Sequence, residues 1–231
     1  MKRFFTFIIP IIFIALVGCS ESDTSSGQAE VTNNEGTIVA VGDSLTEGLG
    51  VAEEYAYPAL LENNLRAQGY HYRVINAGIS GETSSGTLAR IKWILTLKPD
   101  IVILVTGSND GLRGIDPGLI KTNINSIIKA LKENNVIVVL GGMRIVQNLG
   151  EEYTTAFAKI YPEIAEIQQV ILTPFFLEGV AAVPELNQAD GIHPTAEGYR
   201  IVVNNLIPHV IEAIKTYRAT KQFNTVPKDG S

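Results

Sequence analysis

The stretch Thr37-Ile38-Val39-Ala40-Val41-Gly42-Asp43-Ser44-Leu45 reads as a buried strand that stops at a serine. Ile38 to Val41 is short, wholly apolar and mostly β-branched, the pattern of a strand covered on both faces. In open α/β sheets, ligand crevices form beyond the carboxyl ends of strands. Ser44 stands at such an end, which makes it a candidate nucleophile.

The same pattern recurs downstream. Tyr72–Ile75, Ile101–Val105, Val136–Leu140 and Val170–Leu172 are further short apolar runs bounded by polar, Gly or Pro residues. Helical periods lie between them. Pro58 opens a segment with Leu61 and Leu65 on one face, and Leu88, Ile91 and Leu95 share a face on the next. Ile120, Ile124, Ile127, Ile128 and Leu131 form a wide stripe ended by Asn134-Asn135. Tyr153, Phe157, Ile160 and Ile164 repeat the period, as do Tyr199, Val203, Leu206, Val210 and Ile214. This alternation predicts an α/β fold: a five-stranded parallel sheet in a flavodoxin-like three-layer α/β/α sandwich. No internal repeat and no second domain is visible.

Of 231 residues, 45% are hydrophobic and 18% charged, and the formal net charge is −6. An acidic chain whose one adjacent basic pair is Lys2-Arg3 is a poor partner for nucleic acid, which needs clustered Lys and Arg. Those two residues precede an apolar run, Phe4 to Val17, of the length of a secretory h-region and short for a membrane span. The run ends in Leu16-Val17-Gly18-Cys19, which resembles a bacterial lipobox. The resemblance implies a signal peptide over residues 1–18, lipid on the thiol of Cys19, and a protein tethered in the bacterial cell envelope, facing the periplasm or the exterior. Cys19 is the single cysteine, so no intramolecular disulfide is possible. Residues 19–36, poor in large apolar residues, read as a flexible tether. The folded domain is expected over 37–218, with an unstructured tail over 219–231.

A serine becomes a useful nucleophile when a base takes its proton, and histidine is the base suited to neutral pH. There are three histidines. His71 has no acid or serine motif near it, and His209 lies within the last helical period. His193 differs: Asp190 precedes it by three residues in a Gly-containing turn, so the carboxylate can orient the imidazole. Pro194 suits a first helical position and predicts a helix start just after His193. Acyl transfer also needs donors for the oxyanion. Gly81, in Asn76-Ala77-Gly78-Ile79-Ser80-Gly81-Glu82-Thr83 after the second strand, can present its N–H. Asn109, in Gly107-Ser108-Asn109-Asp110 after the third, can present its amide. A parallel sheet would bring these strand ends together with Ser44.

Four blocks in order, Gly42-Asp43-Ser44-Leu45-Thr46-Glu47-Gly48, Gly78-Ile79-Ser80-Gly81-Glu82-Thr83, Gly107-Ser108-Asn109-Asp110 and Asp190-Gly191-Ile192-His193-Pro194, resemble the SGNH (GDSL) hydrolase family. Tyr57-Pro58-Ala59-Leu60-Leu61, Asn109-Asp110-Gly111-Leu112-Arg113-Gly114, Ile160-Tyr161-Pro162 and Pro174-Phe175-Phe176-Leu177 are most similar to its thioesterase I/lysophospholipase/arylesterase branch. The resemblance implies Ser44 as nucleophile, His193 as general acid/base, Asp190 as its orienter, and an oxyanion hole from the Ser44 N–H, the Gly81 N–H and the Asn109 amide. Gly78 competes with Gly81 for that role; the Ser-Gly-x-Thr frame favours Gly81. Ser108 departs from the branch, which carries Gly or Ala there. The Gly-x-Ser-x-Gly elbow of α/β-hydrolases is absent.

The resemblance implies a serine esterase for short to medium acyl (thio)esters. Leu112, Ile115, Ile145 and Val146 are expected to line the acyl groove. Neither a metal nor an organic cofactor is implied, because His193 serves as base and no His/Cys ligand cluster is present. The alternatives are a carbohydrate O-acetylesterase, which the family also contains, and a non-catalytic envelope lipoprotein that keeps the fold for binding.

Overall fold

A computed structural model describes residues 34–145 and 149–225 of the chain. The apolar runs become five strands: β1 (Gly36–Gly42), β2 (Tyr72–Gly78), β3 (Ile101–Val105), β4 (Ile137–Gly141) and β5 (Ile171–Thr173). All pair in parallel, in the order β2-β1-β3-β4-β5. Among the described residues eight α-helices accompany them: α1 (Ser44–Glu47), α2 (Tyr57–Ala67), α3 (Ser84–Ala89), α4 (Ile91–Thr96), α5 (Ser108–Leu112), α6 (Pro117–Glu133), α7 (Glu151–Gln168) and α8 (Ala196–Thr225). Parallel crossovers are right-handed, so the leftward step from β1 to β2 and the rightward steps from β2 to β5 place their helices on opposite faces. Accordingly α2 packs on α8, while α6 packs between α3 and α7. This is the expected three-layer sandwich. None of the described helices is long and apolar enough to cross a membrane.

Ile38–Val41 and all of β3 are fully buried, as strands covered on both faces must be. The stripe Ile120, Ile124, Ile127, Ile128 and Leu131 on α6 is likewise buried, as are Tyr199, Val203, Leu206, Val210 and Ile214 on α8. Asp116 caps α6 by accepting from Leu119 N–H at 3.0 Å.

Several expected boundaries move. β2 runs on through Asn76-Ala77-Gly78, because β1 stays in register with it to its last residue. The helix expected through Leu88, Ile91 and Leu95 is two, α3 and α4, broken at Arg90. Arg90 reaches back to the strand ends, donating to the carbonyl of Ala77 at 2.8 Å. The tether ends earlier than Gly36: Glu35 N–H donates to His71 O at 2.8 Å, and its carboxylate pairs with Arg218 at 2.5 Å. Arg218 is not the end of the fold either. α8 continues to Thr225, since Ala219 to Phe223 contains neither Gly nor Pro. The segment around Cys19 and the signal-like run lie outside the described residues.

Helix α1 lies across the ends of β1 and β2 at very short range. A Cβ on Gly78 would come 2.1 Å from the Glu47 nitrogen, and one on Gly42 would come 2.3 Å from the Val105 carbonyl oxygen. Only glycine fits either place. Gly78→Ala is expected to cost about 1–3 kcal/mol of stability through overpacking, seen as a lower urea midpoint at unchanged m-value; an unchanged midpoint would contradict this packing.

Candidate active site

Ser44 is the first residue of α1, two residues past the end of β1. The chain turns sharply there because Asp43 caps the helix, accepting from Leu45 N–H at 3.0 Å, and Gly48 closes it in the left-handed conformation at φ 88°. Ser44 is left 8% exposed. Its own N–H makes no hydrogen bond among the described residues.

Asp190 and His193 arrive from the loop between β5 and α8. Gln188 N–H donates to His193 O at 2.8 Å, and the Gln188 amide donates to Leu49 O at 2.7 Å, tying this loop to the chain just after α1. His193 Nδ1–H donates to Asp190 Oδ2 at 2.7 Å, because an ionised carboxylate only accepts. Nε2 then accepts from the Ser44 hydroxyl at 2.8 Å. Asp190 Oδ1 also accepts from the N–H groups of Ile192 and His193 at 2.8 and 3.0 Å. The His193 ring, then these two N–H groups, hold the Asp190 carboxyl down to about 2, so it stays ionised at neutral pH. The expected helix start at Pro194 is displaced. Pro194 pairs with Asn187 in an isolated bridge, and α8 begins at Ala196, with Thr195 Oγ1 accepting from Gly198 N–H at 3.3 Å.

Gly81 sits in a tight turn closed by Glu82 N–H to Ile79 O at 3.1 Å, at φ 75°, the glycine position of a type II turn. Its N–H is unbonded among the described residues. Gly78 N–H, by contrast, donates to Asn76 Oδ1 at 3.0 Å, which favours Gly81 as the free donor. Asn109 is the second residue of α5. Its amide donates to Glu82 O at 3.0 Å and, more loosely, to Asp43 Oδ2 at 3.3 Å. The looser bond is the one an oxyanion could replace. Glu82 is fixed from behind by a half-buried ion pair, in which Arg90 grips both carboxylate oxygens at 2.6 and 2.7 Å.

A pocket of about 250 Å³ opens beside Leu45 and Ser108. Leu112 and Ile145 are among its lining residues. Ile115 is not: it packs on the core, and its carbonyl accepts from the Tyr153 hydroxyl at 2.7 Å. Val146 lies outside the described residues. Met143, Phe175, Leu177 and Ile192 join the lining, and Arg144 is its one charged member among the described residues, stacked 4.7 Å over the Phe175 ring. Phe175-Phe176-Leu177 was visible as a family-like stretch. Met143 and Ile192 carried no periodic signal. A larger groove of about 680 Å³ between α6 and α7 includes Lys121, Glu151, Lys159 and Glu163, and none of its lining residues belongs to the triad or the oxyanion turn. Among the described residues, no group of three or more His, Cys, Asp or Glu side chains is placed to hold a metal ion.

The sequence model of the GDSL-like lipase/acylhydrolase family matches residues 40–201. The chain is 40% identical over 173 residues to the esterase TesA of Pseudomonas aeruginosa, covering 74% of this chain and 86% of the relative. It is 36% identical over 169 residues to the thioesterase 1/protease 1/lysophospholipase L1 of Escherichia coli K12, covering 73% and 80%. Among solved structures, AlinE4, an SGNH-hydrolase family esterase, superposes with a TM-score of 0.66 at 42% identity, covering 77% of this chain and 96% of that one.

Asp43 is 1% exposed, and burial pushes its carboxyl up to about 6 against the opposing pull of the Leu45 N–H and the nearby Ser108 hydroxyl. A carboxyl with a raised pKa binds its proton more tightly in the folded state. Its burial therefore costs least below pH 4 and progressively more as pH rises through 6, to about 3 kcal/mol. Asn keeps the helix cap but not the charge. Between pH 4 and 8 the melting temperature of the wild type is expected to fall relative to that of Asp43→Asn; a pH-independent difference would rule this out.

Proposed function

The chain belongs to the GDSL-like lipase/acylhydrolase family and acts on ester bonds, and we propose that it does so through an acyl-enzyme formed on Ser44. His193 Nε2 takes the Ser44 proton as Oγ attacks the carbonyl carbon. Asp190 holds the ring in the tautomer with Nε2 free and stabilises the imidazolium that forms. The carbonyl oxygen becomes an oxyanion, met by the Ser44 N–H, the Gly81 N–H and the Asn109 amide. His193 then gives its proton to the departing alkoxide or thiolate, and the acyl group stays on Ser44. A water, deprotonated by the same nitrogen, attacks the acyl-enzyme and restores Ser44. The observation that carries this reading is the unbroken chain Ser44 Oγ–His193 Nε2–Asp190 Oδ2, at 2.8 and 2.7 Å, beside two unbonded N–H groups.

The acyl group is proposed to be short to medium in length. Among the described residues, the lining of the pocket beside Leu45 is apolar apart from Ser108, Arg144 and Asn187, and about 250 Å³ is small for a ligand site. Its apolar lining supports an acyl chain over an acetylated sugar. The relatives named for thioesterase and lysophospholipase activity support testing thioesters and lysophospholipids beside simple oxygen esters. We further propose that the protein is anchored in the cell envelope by lipid on Cys19, from the lipobox-like Leu16-Val17-Gly18-Cys19.

Ser44→Ala and His193→Ala should each lower kcat by at least about 10³-fold, and a fluorophosphonate should label the wild type at Ser44 alone. Full activity in Ser44→Ala would end the assignment. Ile145→Ala should shift the preferred acyl length on a graded panel of esters, and an unchanged profile would remove Ile145 from the acyl groove. In bacterial cells, Cys19→Ala should move the protein from the membrane fraction to the soluble one; persistence in the membrane fraction would contradict lipid anchoring through Cys19.

A further inference from the structure

The turn that presents Gly81 has almost no packing to hold it. Ile79 is 47% exposed, and Ser80 and Gly81 are exposed as well. An oxyanion donor, however, has to be placed to within a fraction of an ångström before the reaction begins. Its ends are tied down, Ile79 N–H to Gly42 O at 3.0 Å and Glu82 to Arg90 and Asn109, and two further charged side chains grip its middle. The Glu47 carboxylate accepts from Ser80 N–H at 2.9 Å and from the Ser80 hydroxyl. The Arg113 guanidinium donates to Gly81 O at 3.0 Å.

The peptide bearing the Gly81 N–H lies between these two contacts. The peptide before it is held through its N–H by Glu47, and the peptide after it is held through its carbonyl by Arg113. The Gly81 N–H is thus located by its neighbours while remaining free to donate. Each gripping residue also stands close behind a group of the site. Glu47 ends the one-turn helix α1 that begins with Ser44, and Arg113 immediately follows α5, which carries Asn109. Nucleophile and amide donor are therefore tied to the same turn through their own helices.

We propose that Glu47 and Arg113 are positioning residues for acyl transfer, clamping the Ile79–Glu82 turn so that the Gly81 N–H meets the oxyanion. This rests on the assignment of Ser44 and Gly81 above. Both side chains are exposed, and their removal leaves the apolar core intact.

The test is steady-state kinetics on Glu47→Leu and Arg113→Met with a p-nitrophenyl ester, beside Glu47→Gln and Arg113→Lys. The apolar replacements should lower kcat by about 10- to 100-fold with KM changed less than about threefold, since a displaced donor acts on the transition state alone. The second-order rate of fluorophosphonate inactivation should fall in parallel, because that reaction also develops charge in the hole. Glu47→Gln, which keeps an acceptor for Ser80 N–H, and Arg113→Lys should recover part of the loss, and melting temperatures should stay within a few degrees. An unchanged kcat, or a loss accompanied by an equal rise in KM or by unfolding, would overturn the clamp. Ser44→Ala is run alongside: activity there would instead refute the catalytic assignment itself, whatever the clamp variants do.

Discussion

Parallel, in-register pairing around β1 is the constraint on which the site depends. Gly42, the last residue of β1, stands opposite Gly78 of β2 on one side and Val105 of β3 on the other. Three chains therefore leave the sheet at one level. Within four residues each delivers a group: Ser44 after Gly42, Gly81 after Gly78, and Asn109 after Val105. Because β3 and the apolar part of β1 are buried on both faces while edge strand β2 buries Tyr72 and Ala77 and exposes Arg73, a slip by one residue would turn core side chains out of place, and this holds the register. The hydrophobic core thus fixes the relative height of the nucleophile and its oxyanion donors without touching them.

The rest of the site is set by polar contacts, at some cost in stability. Asp190 and His193 come from outside the sheet and depend on Gln188, whose amide reaches Leu49 O and Pro194 O. Glu82 is locked by Arg90, which also spans the carbonyls of Gly42 and Ala77 and so binds the oxyanion turn to two strand ends. Buried Asp43, its carboxyl pushed up to about 6 by desolvation, accepts from Leu45 N–H to cap α1 and from the Asn109 amide. Polar groups buried on these terms are seldom the most stable choice and are commonly found where chemistry is done.

The sequence was most legible where one physical rule dominates. Strands β1 and β3 contain continuous apolar runs; β3 could be read to the residue and β1 to within two residues. The stripe of α6 and the site residues Ser44, Gly81, Asn109, Asp190 and His193 come together where the motifs placed them. Short elements were not legible. One-turn helices α1 and α5 have too few residues to show a period. The break at Arg90 accompanies its reach to the strand-end carbonyls of Gly42 and Ala77, contacts that no helical period reveals. The pocket escaped in part for the same reason: Met143, Phe175 and Ile192 come from three separate loops that meet only in the fold.

The most direct test of this account is a crystal structure of the protein carrying a monoalkylphosphonate bonded to Ser44 Oγ. One phosphoryl oxygen should lie within about 3.1 Å of the Ser44 nitrogen, the Gly81 nitrogen and Asn109 Nδ2, with Asn109 keeping Glu82 O and giving up Asp43. A phosphoryl oxygen turned to solvent, with Asn109 still bonded to Asp43 and the Gly81 N–H unused, would contradict it.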